Sequence, residues 1–457
     1  MDALILSRMQ FGFTVAFHII FPAFTIGLAS YLAVLEGLWL LTKRDVFKNL
    51  YLFWLKVFAL AFGMGVVSGV VMSYQFGTNW SGFIAAGGNV LGPLLAYEVL
   101  TAFFLEASFL GIMLYGWKRV GKRLHFFATC SVAFGTALSA FWILSANSWM
   151  QTPAGFSLGQ DGRLVADNYL AVIFNPSFPS RMAHMLLAAY VTTGMAVAGA
   201  SAWRLLRGQG GPESRMALRM AVLLLAVLMP LQILAGHQSG IVTQRYQPAK
   251  LAAMEGWWEA EAPNRGTSLI GLPDAQAEKN RFELDVPNTS GWLFEKGAKL
   301  QGLKAFAAKD RPPVAVVYWA FRIMVGMGMV MLAIGLYGAW LWARGRLDAS
   351  RWFLRAAVLA SPAGFVAVLA GWVTTEVGRQ PWIVQGVLRT ADALSPVSAG
   401  QVAISLLVFL IVYSIVFCAG ALYILRLVGQ GAEETHAQQP APISPFSAGP
   451  ARLDSPA

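Results

Sequence analysis

Six ionisable side chains stand inside long apolar stretches of this chain: His18, Glu98, Glu106, His184, Arg322 and Glu376. A charge at membrane depth costs several kcal/mol, so residues of this kind mark function by default. The types are those of axial ligands and proton carriers. Haem iron is taken axially by His, Met, Cys or Tyr, and a His/Met pair makes a low-spin electron-transfer centre. His184 and Met324 supply such a pair from different stretches, and Arg322, two residues before the methionine, is suited to neutralise a propionate. A lone histidine on an apolar face is more often a core residue, and most of the 17 methionines are packing residues. Position in the chain decides between these readings.

The elements that must carry these residues are membrane helices. About 20 apolar residues cross roughly 30 Å of hydrocarbon. Nine runs qualify, at about 11–41, 51–75, 92–117, 125–149, 178–206, 216–236, 314–343, 354–375 and 400–427. The first is too long for a signal-peptide core and lacks a basic leader. Lysines and arginines cluster after runs one, three, five and seven, as in Lys43, Arg44 and Lys48 or Lys118, Arg119, Lys122 and Arg123, and thin out in the other short loops. The positive-inside rule then gives an all-α integral membrane protein of about nine spans, with the N-terminus outside and the C-terminus cytoplasmic. On that frame His18, Glu98, His184, the Arg322–Met324 pair and Glu376 all fall in the outer half of the bundle. Five matched depths argue for one shared site.

The expected organisation is helices one to six in 1–236, an external loop in 237–313, helices seven to nine in 314–428, and a disordered cytoplasmic tail in 429–457. A connection as long as 237–313 is usually functional. Glu36 and Lys56 are expected to snorkel to water at their helix ends. His125 is read as interfacial, and His237 as a loop or quinol-site residue.

Composition excludes other classes. Of 457 residues 57% are hydrophobic and 12% charged, with mean hydropathy +0.57, against roughly 25% charged in soluble proteins. A water-soluble enzyme, a disordered chain and a disulfide scaffold are excluded. The net charge of +11 brackets helices, so no nucleic-acid partner is expected. Cys130 and Cys418 form no metal or redox motif. A cytochrome stacking two b haems needs four paired histidines, and a haem–copper oxidase six. Five histidines are present, with His436 in the tail.

Five stretches resemble subunit I of the cytochrome bd-type quinol oxidases. They are Gln75-Phe76-Gly77-Thr78-Asn79-Trp80, Glu98 with Phe103-Phe104-Leu105-Glu106, Lys250-Leu251-Ala252-Ala253-Met254-Glu255, Phe321-Arg322-Ile323-Met324, and Gly378-Arg379-Gln380-Pro381-Trp382. The resemblance implies oxidation of ubiquinol or menaquinol outside and reduction of dioxygen to water without copper, in a bacterial inner membrane. It implies a low-spin haem b on His184 and Met324, a high-spin haem b, and haem d or a further haem b. His18 and Glu376 would be axial ligands of the two high-spin haems, and Glu98 a further ligand or proton donor beside them. Arg379 joins the cofactor-binding set. Glu106, with Ser139 and Asn147, would form a proton route, and Lys250 and Glu255 would meet quinol in a loop of the short form, which some cyanide-insensitive relatives share. Implied partners are a second membrane subunit of homologous fold, a small one-helix subunit in many relatives, and membrane lipid. An ion-coupled transporter is the alternative from another class; it too buries carboxylates near the membrane middle, but leaves the Arg–Met pair unexplained.

Overall fold

The computed structural model describes residues 2–261, 265–294 and 300–434. Among them, nine helices are long and apolar enough to cross a membrane: Ala3–Thr42, Asp45–Thr78, Ser81–Tyr115, Lys122–Gln151, Phe178–Leu206, Pro212–Tyr246, Val314–Ala343, Arg351–Val377 and Ala399–Ala432. In lipid each backbone N–H and C=O must be satisfied within its own segment, which leaves the helix as the solution for apolar runs such as these. We number them as spans one to nine.

Two spans are interrupted, each for a local reason. Span eight breaks between Leu359 and Ala363 at Ser361-Pro362, because proline cannot donate into a helix. Span three contains a wide π-helical turn over Glu98–Phe103. Such turns insert one residue into an α-helix and recur at functional sites.

Spans one, two and five to eight share a continuous core built on Leu28, Leu32, Leu35, Phe58, Val222 and Leu225. Helices in lipid associate by close contact of small residues. At Gly27 a Cβ would fall 2.4 Å from Thr193 Oγ1 and 2.6 Å from the Ala189 carbonyl, so spans one and five can approach this closely only with glycine there. Spans five to eight pack on one another, while span nine lies against spans one and two.

Span six runs to Tyr246, past the expected limit of residue 236, so His237 sits within a helix rather than opening the loop. After it the chain forms a short helix, Pro248–Glu255, and a hairpin pairing Thr267–Asp274 with Lys279–Val286. Leu251, Ala252, Trp257, Trp258 and Leu303 give this segment its own apolar core against the start of span seven. Two smaller hairpins, Phe156–Leu158 with Leu164–Ala166 and Trp382–Val384 with Leu388–Arg389, lie in connections. Of the expected tail 429–457, residues 435–457 lie outside the described residues; the ninth helix continues to Glu434 across a non-helical Gly431.

The expectation for Glu36 and His125 is corrected. Glu36 does not snorkel: it is 1% exposed, and its Oε1 lies 2.7 Å from His125 Nδ1. Thr129 donates to its other oxygen at 2.6 Å, and Tyr51 meets Thr129 at 3.0 Å. A buried carboxyl that can find partners on a neighbouring helix has no need to reach water.

Candidate haem and quinol site

Polar residues collect at the end of the bundle that carries the 247–313 segment. Their centre is Glu376, at the end of span eight. Asn147 donates to its Oε1 at 2.8 Å and Gln151 at 3.3 Å, while Arg379, one turn on, forms an ion pair with Oε2. Arg181 of span five donates to Asn147 Oδ1 at 2.9 Å. Lys250 reaches in from the short helix, with Nζ 2.7 Å from Gln151 Oε1 and 2.9 Å from Gln247 Oε1. Lys250 and Arg379 are both about 95% buried. Burial, aided by Arg181 and Arg379, holds the Lys250 ammonium well below the usual lysine range, with Glu376 pulling the other way. Burial likewise lowers Arg379, against the raising effect of Glu376.

Around this one carboxylate stand Arg181, Lys250 and Arg379, an excess of basic groups. Arg379 Nε and Nη1 are buried and have no hydrogen-bond partner among the described residues. A buried guanidinium with unused donors is costly, and it fits an anionic group such as a propionate.

Glu255 ends the same short helix as Lys250 but belongs to a second cluster. Five residues apart on a helix is about 140° of rotation, which directs the two side chains to different neighbours. Glu255 is 4% exposed and lies 4.0 Å from Arg322 Nη2. Burial pushes its carboxyl up to about 7, against the opposing pull of Arg322. Its Oε2 has no hydrogen-bond partner among the described residues. Arg322 itself donates to the carbonyls of Met254 and Ser268 and stacks 3.5 Å over the Tyr318 ring, leaving Nε unpartnered among those residues. Its guanidinium is therefore largely engaged by the loop.

The candidate iron ligands are poised differently. Ser68 Oγ donates to the Gly65 carbonyl at 3.0 Å and lies 2.9 Å from His18 Nδ1. With its own proton committed, Ser68 accepts from Nδ1–H, which leaves the Nε2 lone pair of His18 free for a metal. His184 Nδ1 and Gln232 Oε1 lack partners among the described residues, while Gln232 Nε2 lies 3.4 Å from His184 Nε2. Glycines give these groups room. A Cβ at Gly69 would come within 3.1 Å of the His18 ring, one at Gly236 within 3.2 Å of the His184 ring, and one at Gly371 within 2.9 Å of Met324 Sδ. No hydrogen bond or ion pair joins His18 to Glu376 among the described residues.

Glu98 opens the π turn and accepts from Ser139 Oγ of span four at 2.7 Å. Glu106 is buried, packs against Gly135 one turn along the same face of span four, and keeps Oε1 unpartnered among the described residues. Eight regular residues would set the two carboxyls about 80° apart. The wide turn absorbs one residue, so they lie about 20° apart instead.

A family model described as cytochrome bd terminal oxidase subunit I matches residues 6–432. The chain belongs to this family. It is 36% identical to a cytochrome bd ubiquinol oxidase subunit 1 of Bacillus subtilis (strain 168), covering 98% of both chains. It is 33% identical to a cytochrome bd-II ubiquinol oxidase subunit 1 of Escherichia coli (strain K12), covering 96% of this chain and 99% of the other. The bd oxidase structure from Geobacillus thermodenitrificans superimposes with a TM-score of 0.86 at 29% identity, covering 94% of this chain and 99% of that one. Membership makes this a multi-pass protein of a bacterial inner membrane and leaves the transporter alternative without support.

Three participants in the cluster were not singled out by sequence reasoning: Gln151, Arg181 and Gln247. Arg181 and Gln151 end helices on the loop side, where a polar residue carries little signal. The available hint was that Arg181 stands three residues before His184.

Proposed function

We infer that this chain is the haem-bearing subunit of a quinol:oxygen oxidoreductase, a terminal respiratory oxidase that works with a second membrane subunit and, in this reading, a small one-helix subunit. The N-terminus and the 247–313 segment face outside and the C-terminus the cytoplasm. The observation that carries the reading is the Glu376 cluster, where buried arginine donors stand unused beside a carboxylate.

His184 and Met324 would hold a low-spin haem b, and His18 and Glu376 the two high-spin haems, one haem b and the other haem d or a further haem b. Arg379, with Arg181 and Lys250, would neutralise propionates. Bound there, haem supplies the one-electron and dioxygen chemistry that no side chain can. The protein's own part is to position and to move protons. Quinol, whether ubiquinol or menaquinol, loses two electrons and two protons on the loop side. Glu255, with a carboxyl that ionises near neutral pH, is matched to accept one of those protons. Protons consumed in making water come from the cytoplasm. Glu106, deeper in the bundle, hands them to Glu98, with Ser139 holding the Glu98 carboxyl in place. Opposite sides for proton release and uptake generate a membrane potential without a pump.

A reduced-minus-oxidised absorption spectrum of the purified complex tests this. The expected result is low-spin b haem together with high-spin haem bands, which also separate haem d from haem b. A haem-free protein would overturn the reading.

A further inference from the structure

The hairpin of residues 267–286 has one face on the protein and one face bare. Its inner side is tied down by Ser268, whose Oγ lies 2.7 Å from Tyr318 Oη, and by Asn280, which donates to the Gly256 carbonyl at 2.9 Å and accepts from Trp258 Nε1 at 2.8 Å. The other side exposes Leu269, Ile270, Leu272, Phe282, Leu284 and Val286. Phe282 is 85% exposed and takes a left-handed backbone, φ 52°, which is rare for a bulky residue. Six large apolar side chains on one small hairpin form a patch that water alone does not explain.

Span seven fixes the height of this patch. Trp319 and Trp340 are both exposed on it. At 1.5 Å per residue they are about 31 Å apart, the thickness of the hydrocarbon layer. Tryptophans mark the two edges of that layer, so Trp319 stands at its boundary on the loop side. Tyr318, its neighbour in sequence, is the residue that anchors Ser268. The hairpin therefore lies at the membrane boundary, bonded through Ser268 to the stretch of span seven that exposes Trp319 and Ile323. The charged turn, with Glu278 and Lys279 and the Asp274–Arg281 ion pair, suits the headgroups. An open two-stranded sheet cannot sit in hydrocarbon, but it can lie in the hydrated interface. Span nine has the smallest buried share of the nine. It packs chiefly on spans one and two, and it offers another membrane protein a more open face than span seven does.

We propose that the apolar face of the 267–286 hairpin rests in the lipid interface on the loop side, as a lip that sets the Glu255–Arg322 pair at bilayer level. Quinol is dissolved in that bilayer, and the hairpin is bonded to Gly256, next to Glu255, and to Arg322. The role toward quinol rests on the function inferred above; the lipid contact does not.

The test places a cysteine at Phe282 in a chain with Cys130 and Cys418 replaced by serine, labels it with an environment-sensitive fluorophore, and sets the whole complex in lipid nanodiscs. Emission should be quenched by phospholipids carrying a nitroxide near the headgroup and not by aqueous iodide, while a label at Lys279 stays open to iodide. Quenching of the Phe282 label by iodide without a lipid effect would overturn the proposal, as would protection from both, which means a protein covers the face. As a second measure, the pair Phe282→Asp and Leu284→Asp should raise KM for a long-tailed quinol supplied in liposomes by about tenfold, an ~1.4 kcal/mol loss, without changing KM for a short-tailed soluble quinol. Equal rises for both quinols would overturn the lip role. Failure of the quinol assignment shows separately, as unaltered kinetics in Glu255→Gln.

Discussion

Ser139 on span four donates a 2.7 Å hydrogen bond to Glu98 on span three, and one helical turn away Gly135 leaves the space that Glu106 fills. One face of a single helix thus supports both carboxyls of the inferred proton route. Replacing Glu106 by Gln keeps its shape and removes its ability to pass a proton. Oxygen consumption should fall by an order of magnitude or more, on the order of 1.4 kcal/mol per tenfold, while electron entry into the low-spin haem stays fast. Single-turnover absorbance with a pH dye measures both; normal proton uptake would remove Glu106 from the route.

Gly135→Ala tests the same contact from the other side. A Cβ there would fall 2.6 Å from Glu106 Cγ and 3.5 Å from the Ala102 carbonyl. Overpacking of this kind costs about 1–3 kcal/mol. A lower Tm, together with slowed oxygen reduction, is expected from thermal denaturation and oxygen-electrode assays. An unchanged Tm and rate would mean that the helices shift apart freely.

Met324→Leu keeps the volume and removes the sulfur. The low-spin b absorbance should disappear or convert to high-spin, and quinol oxidation should cease. An intact low-spin spectrum excludes Met324 as a ligand.

Glu255 gives a pH dependence whose sign follows from burial. The carboxyl is pushed up to about 7, so it is mostly protonated below that pH and unable to accept a proton from quinol. Wild-type kcat/KM should therefore rise with pH through about 7. In Glu255→Gln this limb should vanish and kcat/KM should be lower by roughly 10²-fold, the low end for loss of a general base, with haem spectra intact. A profile unchanged from wild type would refute the role.

The number of helices, and the spans that carry His18, Glu98, His184, Met324 and Glu376, were legible because lipid imposes a simple rule on apolar length and on charge. Residues 178–206 were bounded correctly to the residue. Span six was cut short because the apolar run ends at 236 and His237 reads as the start of the loop, yet the helix continues to Tyr246. Tertiary pairing was not legible. Glu36 and His125 are 89 residues apart and looked like separate interfacial groups, and nothing in their local sequence says that they meet. The same holds for Lys250, whose neighbour Gln151 comes from the end of span four, 99 residues away.

The π turn at Glu98–Phe103 has a consequence for chain length. Span three carries one residue more than a regular helix would need to present its two carboxyls as it does. A chain one residue shorter within that turn would still face both groups toward span four, because a regular helix of seven steps ends within about 20° of where it began. Shortening span three by one residue while the wide turn stays open would instead rotate Glu106 by about 100°, off the Gly135 face. The wide turn is therefore what lets the chain carry either seven or eight steps between the two glutamates with both facing span four.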